Sequence, residues 1–450
     1  MKKWIAWLLL LALLLTGCAE NAPQENGERI FCAGFASVTL PLPENSAPLY
    51  IAGYHSGWEI QGVLDLQQIR GLWLEDGKTS TLLIVVDCIA LGADTVAQIR
   101  QQLREFCRET GCDQVNVIAT HTHAGVDTLG LWGPMAIDGK NDAFMETVIS
   151  GAVDAAKAAY ADRKPGKWFY SSVKTEGLQE DSRDPQIWDE HIYQFRFAPV
   201  DEGDKGIRLL SFAAHAEALR GDNTYLSRDY PGVVCDRITR ETGDDTIFLP
   251  GAIGGLIMTP EFSADPVENM ELTGEKIAEA ALTSREEREL QPNLQLARVE
   301  FEVELDNTLF LYYKFLGILG NSVRRDWSGT YWLSTELTLL QLGDVTVALL
   351  PGEIFPELVT GTENAEDPRS LQELAKSYGC ENLIVISLAN DEIGYIVPPG
   401  DFVLDGELPY VQEAEGDHYE ETNAVGKNCA RFLTEAFQKA LQELTAASGA

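Results

Sequence analysis

Val115-Asn116-Val117-Ile118-Ala119-Thr120-His121-Thr122-His123-Ala124-Gly125 is an apolar strand that runs straight into a His-x-His pair and a turn glycine. A strand sends successive side chains to opposite faces, so His121 and His123 leave on the same side, spaced to converge on one ion or one substrate. A His-x-His alone fits two satisfied polar residues at a sheet edge just as well, so its meaning rests on context. Only six histidines occur in the 450 residues.

The strand-then-ligand pattern returns downstream. Leu209-Leu210-Ser211-Phe212-Ala213-Ala214-His215 delivers an imidazole at the end of an apolar run. Val345-Thr346-Val347-Ala348-Leu349-Leu350-Pro351-Gly352-Glu353 ends in a turn and a carboxylate. The run 383–389 leads through Asn390-Asp391-Glu392-Ile393-Gly394 to Tyr395. Zinc sites collect ligands from separate strands, and a catalytic one keeps three protein ligands and an open position for water. Taken singly, His215 reads as a buried structural residue and Tyr395 as packing. Asp87, closing the strand 81–87, is a candidate to orient a ligand histidine from behind, with a surface or capping role equally open.

Between these runs strands and helices alternate without a low-complexity linker or an internal repeat. That predicts one compact α/β unit of mixed β-sheets flanked by helices, from about Ile30 to the end. Hairpins are expected around Asp76-Gly77 and Gly343-Asp344. Amphipathic helices are expected at 94–108, 142–161, 231–242, 267–282, 370–378 and 424–444.

Residues 1–18 carry Lys2 and Lys3, an apolar run from Trp4 to Leu15, and the ending Leu15-Thr16-Gly17-Cys18. This has the layout of a secretory signal, and its ending resembles the bacterial lipobox, whose cysteine is acylated. The run is short for a spanning helix. Residues 19–29 then read as a tether, which puts the globule outside the cytoplasmic membrane, anchored to it by lipid on Cys18. Seven cysteines remain, an odd number. Cys107 and Cys112 are near enough in sequence for a local disulfide that nothing in the chain requires. With 70 acidic against 34 basic residues and a net charge of -36, nucleic acid is excluded as a partner, because phosphate binding needs a basic footprint.

The ordered set Thr120-His121-Thr122-His123-Ala124-Gly125, His215, Pro351-Gly352-Glu353 and Asn390-x-x-x-Gly394-Tyr395 resembles the neutral/alkaline non-lysosomal ceramidase family. Ala52-Gly53-Tyr54, Ser182-Arg183-Asp184-Pro185 and Tyr419-Glu420 extend the resemblance over roughly residues 30 to 440. It implies a layered α/β/β/α catalytic domain at 30–450. It also implies a Zn2+ ion held by His121, His215, Glu353 and Tyr395, with His123 facing the substrate carbonyl and Arg183 placed to help with the oxyanion. Zinc-activated water would then attack an amide of an N-acyl lipid or a similar substrate.

The chain departs from that pattern in places. At 250–260 the family's Gly-Asp-x-Ser-Pro segment is missing, leaving Thr259 before a proline as a candidate substrate contact alongside Asn390. There is no room after the last helix for the immunoglobulin-like domain of larger members. A zinc esterase or lactonase acting on an envelope or extracellular compound fits the same centre. A binding lipoprotein on the same scaffold is a third reading.

Overall fold

A computed structural model of the protein describes residues 29–44, 47–284 and 286–448; the signal segment, Cys18 and nearly all of the tether lie outside the described residues. Ser80–Val86, reading STLLIVV, is buried at every position. Such a run without alternation needs cover on both faces. A nine-stranded sheet supplies one layer. Its main path runs Asp245–Pro250, Ile207–Phe212, His191–Pro199, Lys164–Lys174, Phe31–Thr39, Gln68–Glu75, Ser80–Val86, Gln114–Ala119. A five-stranded sheet supplies the second, in the order Leu294–Glu304, Tyr331–Leu342, Val345–Leu349, Asn382–Ile386, with Val323–Arg325 added to Tyr331–Leu342.

The inner faces of the two sheets pack together through Leu72, Leu83, Val85, Phe195 and Leu249 on one side and Leu340, Val347, Leu349 and Ile386 on the other. Helices cover both outer faces. Val96, Ile99 and Leu103 of Ala93–Thr110, spaced three and four apart, bury on the larger sheet. Asp142–Asp162 lies on it so closely that a Cβ on Gly34 would stand 2.2 Å from the Ala159 carbonyl oxygen. Asp229–Thr242 and Pro266–Leu282 cover the rest of that face. Leu433, Phe437 and Leu441 of Cys429–Ser448 cover the smaller sheet. The result is the expected mixed α/β architecture in four layers.

The chain uses one topology three times, although the sequence shows no repeat. Gln68–Glu75 pairs antiparallel with Ser80–Val86, which crosses over a helix to the parallel Gln114–Ala119. His191–Pro199, Ile207–Phe212 and Asp245–Pro250 do the same, and so do Tyr331–Leu342, Val345–Leu349 and Asn382–Ile386. In open α/β sheets ligands sit beyond the carboxyl ends of parallel strands. Here the carboxyl ends of all three units meet at one pole. Both expected hairpins are present. The last helix begins at Cys429, five residues later than its periodicity suggested, because Ala424 bridges Gly394 and the Val425 carbonyl accepts from Asp306 and Asn307. All seven cysteines among the described residues are free thiols, Cys107 and Cys112 included.

Asn390, expected at the substrate, is instead a main-chain clamp. Its amide nitrogen donates to the Val117 carbonyl at 2.7 Å, its Oδ1 accepts from Val117 N at 2.9 Å, and its Nδ2 donates to Asn116. A free strand edge has been capped by a side chain that copies a backbone. Asn390→Ala should therefore cost roughly 2–4 kcal/mol of stability, since it strands two buried polar groups. Denaturant unfolding of the variant measures this.

Candidate metal centre

His121 follows the end of Gln114–Ala119 in the left-handed region, φ 66°. That turn swings its ring back so that Nδ1 lies 2.8 Å from the Ile89 carbonyl. His215, after Ile207–Phe212, likewise places Nδ1 3.0 Å from the Ile257 carbonyl, which also accepts its main-chain N–H. A carbonyl only accepts, so both Nδ1 atoms carry hydrogen and both Nε2 lone pairs point forward. They point at the same place. Glu353 Oε2 is 2.9 Å from His215 Nε2 and 3.4 Å from His121 Nε2, and His123 Nε2 is 3.1 Å from His121 Nε2. The ligating atoms of His121, His123 and His215 all lie within 4.8 Å of one another.

Lone pairs of imidazole nitrogen facing a carboxylate oxygen at these distances need positive charge between them. Without a metal, protons must supply it. Burial opposes the charge on His215, but the Glu353 hydrogen bond and charge outweigh it and push His215 up to about 9. Glu353 is buried too, yet His121 and His215 hold its carboxyl well below the usual range. His123 goes the other way, because burial and then the charges of His121 and His215 push it well below 6.5. A metal ion could take the place of those protons, and a nitrogen–carboxylate donor set with fixed tautomers is of the kind that zinc accepts.

Tyr395 joins through the short ladder Glu353–Ile354 with Tyr395–Ile396, where Glu353 and Tyr395 are paired. Burial and the Glu353 charge keep its phenol protonated well above 10. His121, His123, Glu353 and Tyr395 line a cleft of about 210 Å³ whose walls include Leu129, Leu131, Trp132, Leu309, Phe310 and Ile318.

No protein-family model matches the chain, and no curated protein matches it in sequence. Solved structures do. A neutral ceramidase from Pseudomonas aeruginosa superposes with a TM-score of 0.70 at 15% identity, over 93% of this chain and 74% of that one. The fold is neutral-ceramidase-like. A ceramidase complexed with C2 superposes with a TM-score of 0.68, again at 15% identity, over 93% of this chain and 75% of the other.

Within this ceramidase-like fold four expected positions, His121, His215, Glu353 and Tyr395, come together with His123. Four others do not reach the cleft as expected. Asp87 faces no histidine. It forms a buried ion pair with Arg70 at 2.9 Å and accepts from Gln68 N, while Ile89 two residues on orients His121. Thr259 does not line the cleft, and its buried hydroxyl has no hydrogen-bond partner among the described residues. What the altered 250–260 loop contributes is the Ile257 carbonyl behind His215. Asn390 is the clamp described above.

Arg183 is the largest correction. All five of its N–H donors are taken by Asp401, Glu420 and Glu421, at 2.8–3.0 Å. It does not line the cleft. Its hydrogen bonds fix the segment that carries Tyr419, which does. Two residues were missed. Glu217 Oε2 lies 3.6 Å from His123 Nδ1 and accepts from the Tyr54 hydroxyl. Glu392 also lines the cleft. His215-x-Glu217 has the same spacing as the His-x-His pair, which was the available signal for Glu217.

Arg183→Ala should act first on stability. It takes the guanidinium from two buried carboxylates, leaving Glu420 unpaired and Glu421 with only His418 and the Val403 N–H, at a cost of about 3–5 kcal/mol. A variant that unfolds at the wild-type denaturant concentration but loses turnover would return Arg183 to the reaction centre.

Proposed function

We propose that the protein is a zinc-dependent hydrolase that cleaves the amide bond of an N-acyl lipid or a close analogue. The observation that carries this reading is the pair of carbonyl-backed imidazoles, His121 and His215, facing Glu353, with His121 and Glu353 lining an apolar cleft and His215 buried behind them. The likeness to a ceramidase complexed with C2 supports the substrate class. His121, His215, Glu353 and Tyr395 would hold the ion. Bound there, zinc supplies Lewis acidity toward a carbonyl oxygen and a water that ionises near neutral pH.

The chain's own residues do the remaining work. The walls around Trp132 and Phe310 exclude water and align an acyl chain. His123, kept neutral chiefly by burial, takes a proton from the attacking water at Nε2 and returns it to the leaving nitrogen. Glu217, 3.6 Å from its Nδ1, favours the imidazolium while it exists, and Tyr54 holds Glu217 in place. The signal at 1–18 and lipid on Cys18 would hold the enzyme outside the cytoplasmic membrane. No helix among the described residues is long and apolar enough to cross a membrane.

Purified protein should contain about one zinc per chain by elemental analysis, lost in His121→Ala and His215→Ala; undiminished zinc in both would sink the ligand set. His123→Ala should keep its zinc and lose turnover by ~100-fold or more, as removal of one acid–base group does. Loss of zinc in parallel would instead make His123 a ligand. Turnover of matched N-acyl amides and esters decides between amidase and esterase or lactonase, with the amide expected to be cleaved.

Anchoring has its own test. Cys18→Ala should move the protein from the membrane to the soluble fraction; retention after a salt wash would mean that another segment anchors it.

A further inference from the structure

Two segments form the mouth of the cleft. One is the loop 129–140, which contributes Leu129, Leu131, Trp132 and Lys140 to the lining; the other is the helix Thr308–Phe315 with its continuation to Asn321. They are tied together by Lys140, whose Nζ donates to the Ile318 carbonyl at 3.1 Å, while Lys314 Nζ donates to that of Leu319 within the second segment. Beyond the lining, each turns large apolar side chains outward. Met135 is 93% exposed and Ile137 60% on the first; Phe315 is 75% exposed on the second, flanked by the partly exposed Tyr312 and Leu316.

Scattered exposed apolar residues need no explanation, but a group around one cleft does. Thr308–Phe315 buries none of its residues fully, so its apolar character is not spent on the core.

The charge of the mouth is unlike that of the rest. Residues 129–140 and 308–321 hold two basic residues, Lys140 and Lys314, and one acidic one, Asp138. They sum to +1 in a chain of -36. Exposed apolar side chains beside Tyr312 and Lys314, on segments that carry none of the chain's acidic excess, match a bilayer interface. The mouth also lies at the pole opposite to where the described chain enters. Arg29 pairs with Asp76 in the turn at the far end of Gln68–Glu75, whereas His121 and Glu353 lie beyond the strands' other ends.

We propose that this rim is a lipid-bilayer docking surface, on which Met135, Ile137 and Phe315 insert so that the cleft opens onto the membrane. The cleft's use for a lipid amide rests on the function proposed above; the docking itself does not. Arg29, where the described chain begins, lies at the pole opposite the rim.

The test is hydrogen exchange on the full chain, with and without phosphatidylcholine vesicles. Protection is expected at 133–139 and 312–318 and not at the distant turn 76–79; no protection at the rim overturns the proposal. In the triple variant Met135→Ser, Ile137→Ser, Phe315→Ser the rim protection should vanish. Hydrolysis of vesicle-embedded N-acyl lipid should fall ~10-fold or more while a soluble short-chain amide is cleaved at the wild-type rate. Rim protection in a protein that cleaves no amide would leave docking intact and refute the amidase reading. Vesicle-free self-association that the triple variant abolishes would assign the rim to a second copy and overturn docking.

Discussion

The four residues Ser387 to Asn390 hold the catalytic pole together. Their main-chain N–H groups donate in turn to the carbonyls of Pro250, Gly352, Leu350 and Val117, and the Leu388 carbonyl accepts from Ala119. These bonds join the ends of three strands that belong to two different sheets. Leu388 and Asn390 both adopt positive φ to make them, 57° and 67°. Such a conformation is uncommon for residues other than glycine and persists where its surroundings enforce it. The strand ending at His121, the loop backing His215 and the turn presenting Glu353 are thereby fixed relative to one another. A metal centre with ligands from three strands needs that rigidity, since its geometry tolerates only small errors.

Electrostatics follow from the same frame. Acidic residues outnumber basic ones about twofold, yet Arg70 and Arg183 are both turned inward and buried. Arg70 is committed to Asp87, and Arg183 to Asp401, Glu420 and Glu421. One guanidinium does not neutralise its whole neighbourhood. Burial pushes Glu420 up to about 7, and burial with nearby Asp181 and Asp401 pushes Glu357 up to about 8. The arginines therefore act as fasteners for loops beside the cleft. Neither guanidinium is left free to face the cleft, where the imidazoles of His121 and His215 and the Glu353 carboxylate form a group that could hold a metal ion.

Much of this was legible in the sequence wherever a strand ended in a chemically distinctive residue. His121, His215 and Glu353 each follow an apolar run, and strand ends at one pole are where such a fold collects ligands. The hairpin turns were legible because Asp76-Gly77 and Gly343-Asp344 meet the demand for positive φ. Residues that act through partners distant in sequence were not. Arg183 bonds to groups more than 200 positions away, and Asn390 to a strand 273 positions away. A motif shows a residue's type and spacing but not which of its donors are already spent. The resemblance implies that Arg183 helps with the oxyanion, whereas in the structure its donors are spent on Asp401, Glu420 and Glu421.

The His-x-His pair shows how far spacing goes. Alternation predicts two equivalent histidines on one face, and their Nε2 atoms do meet at 3.1 Å. Yet the regular strand ends at Ala119, and His121 reaches its position only through a left-handed turn. What lies behind each ring separates them. His121 and His215 each give Nδ1–H to a main-chain carbonyl, which locks one tautomer with the lone pair forward, as a metal ligand requires. His123 Nδ1 has no hydrogen-bond partner among the described residues and faces the Glu217 carboxylate at 3.6 Å. A carbonyl behind an imidazole fixes which nitrogen carries the hydrogen and leaves the other lone pair forward, whereas His123 has no such partner among the described residues to fix its tautomer. The backing groups, invisible in the spacing, therefore divide the pair into one residue suited to hold an ion and one suited to move a proton.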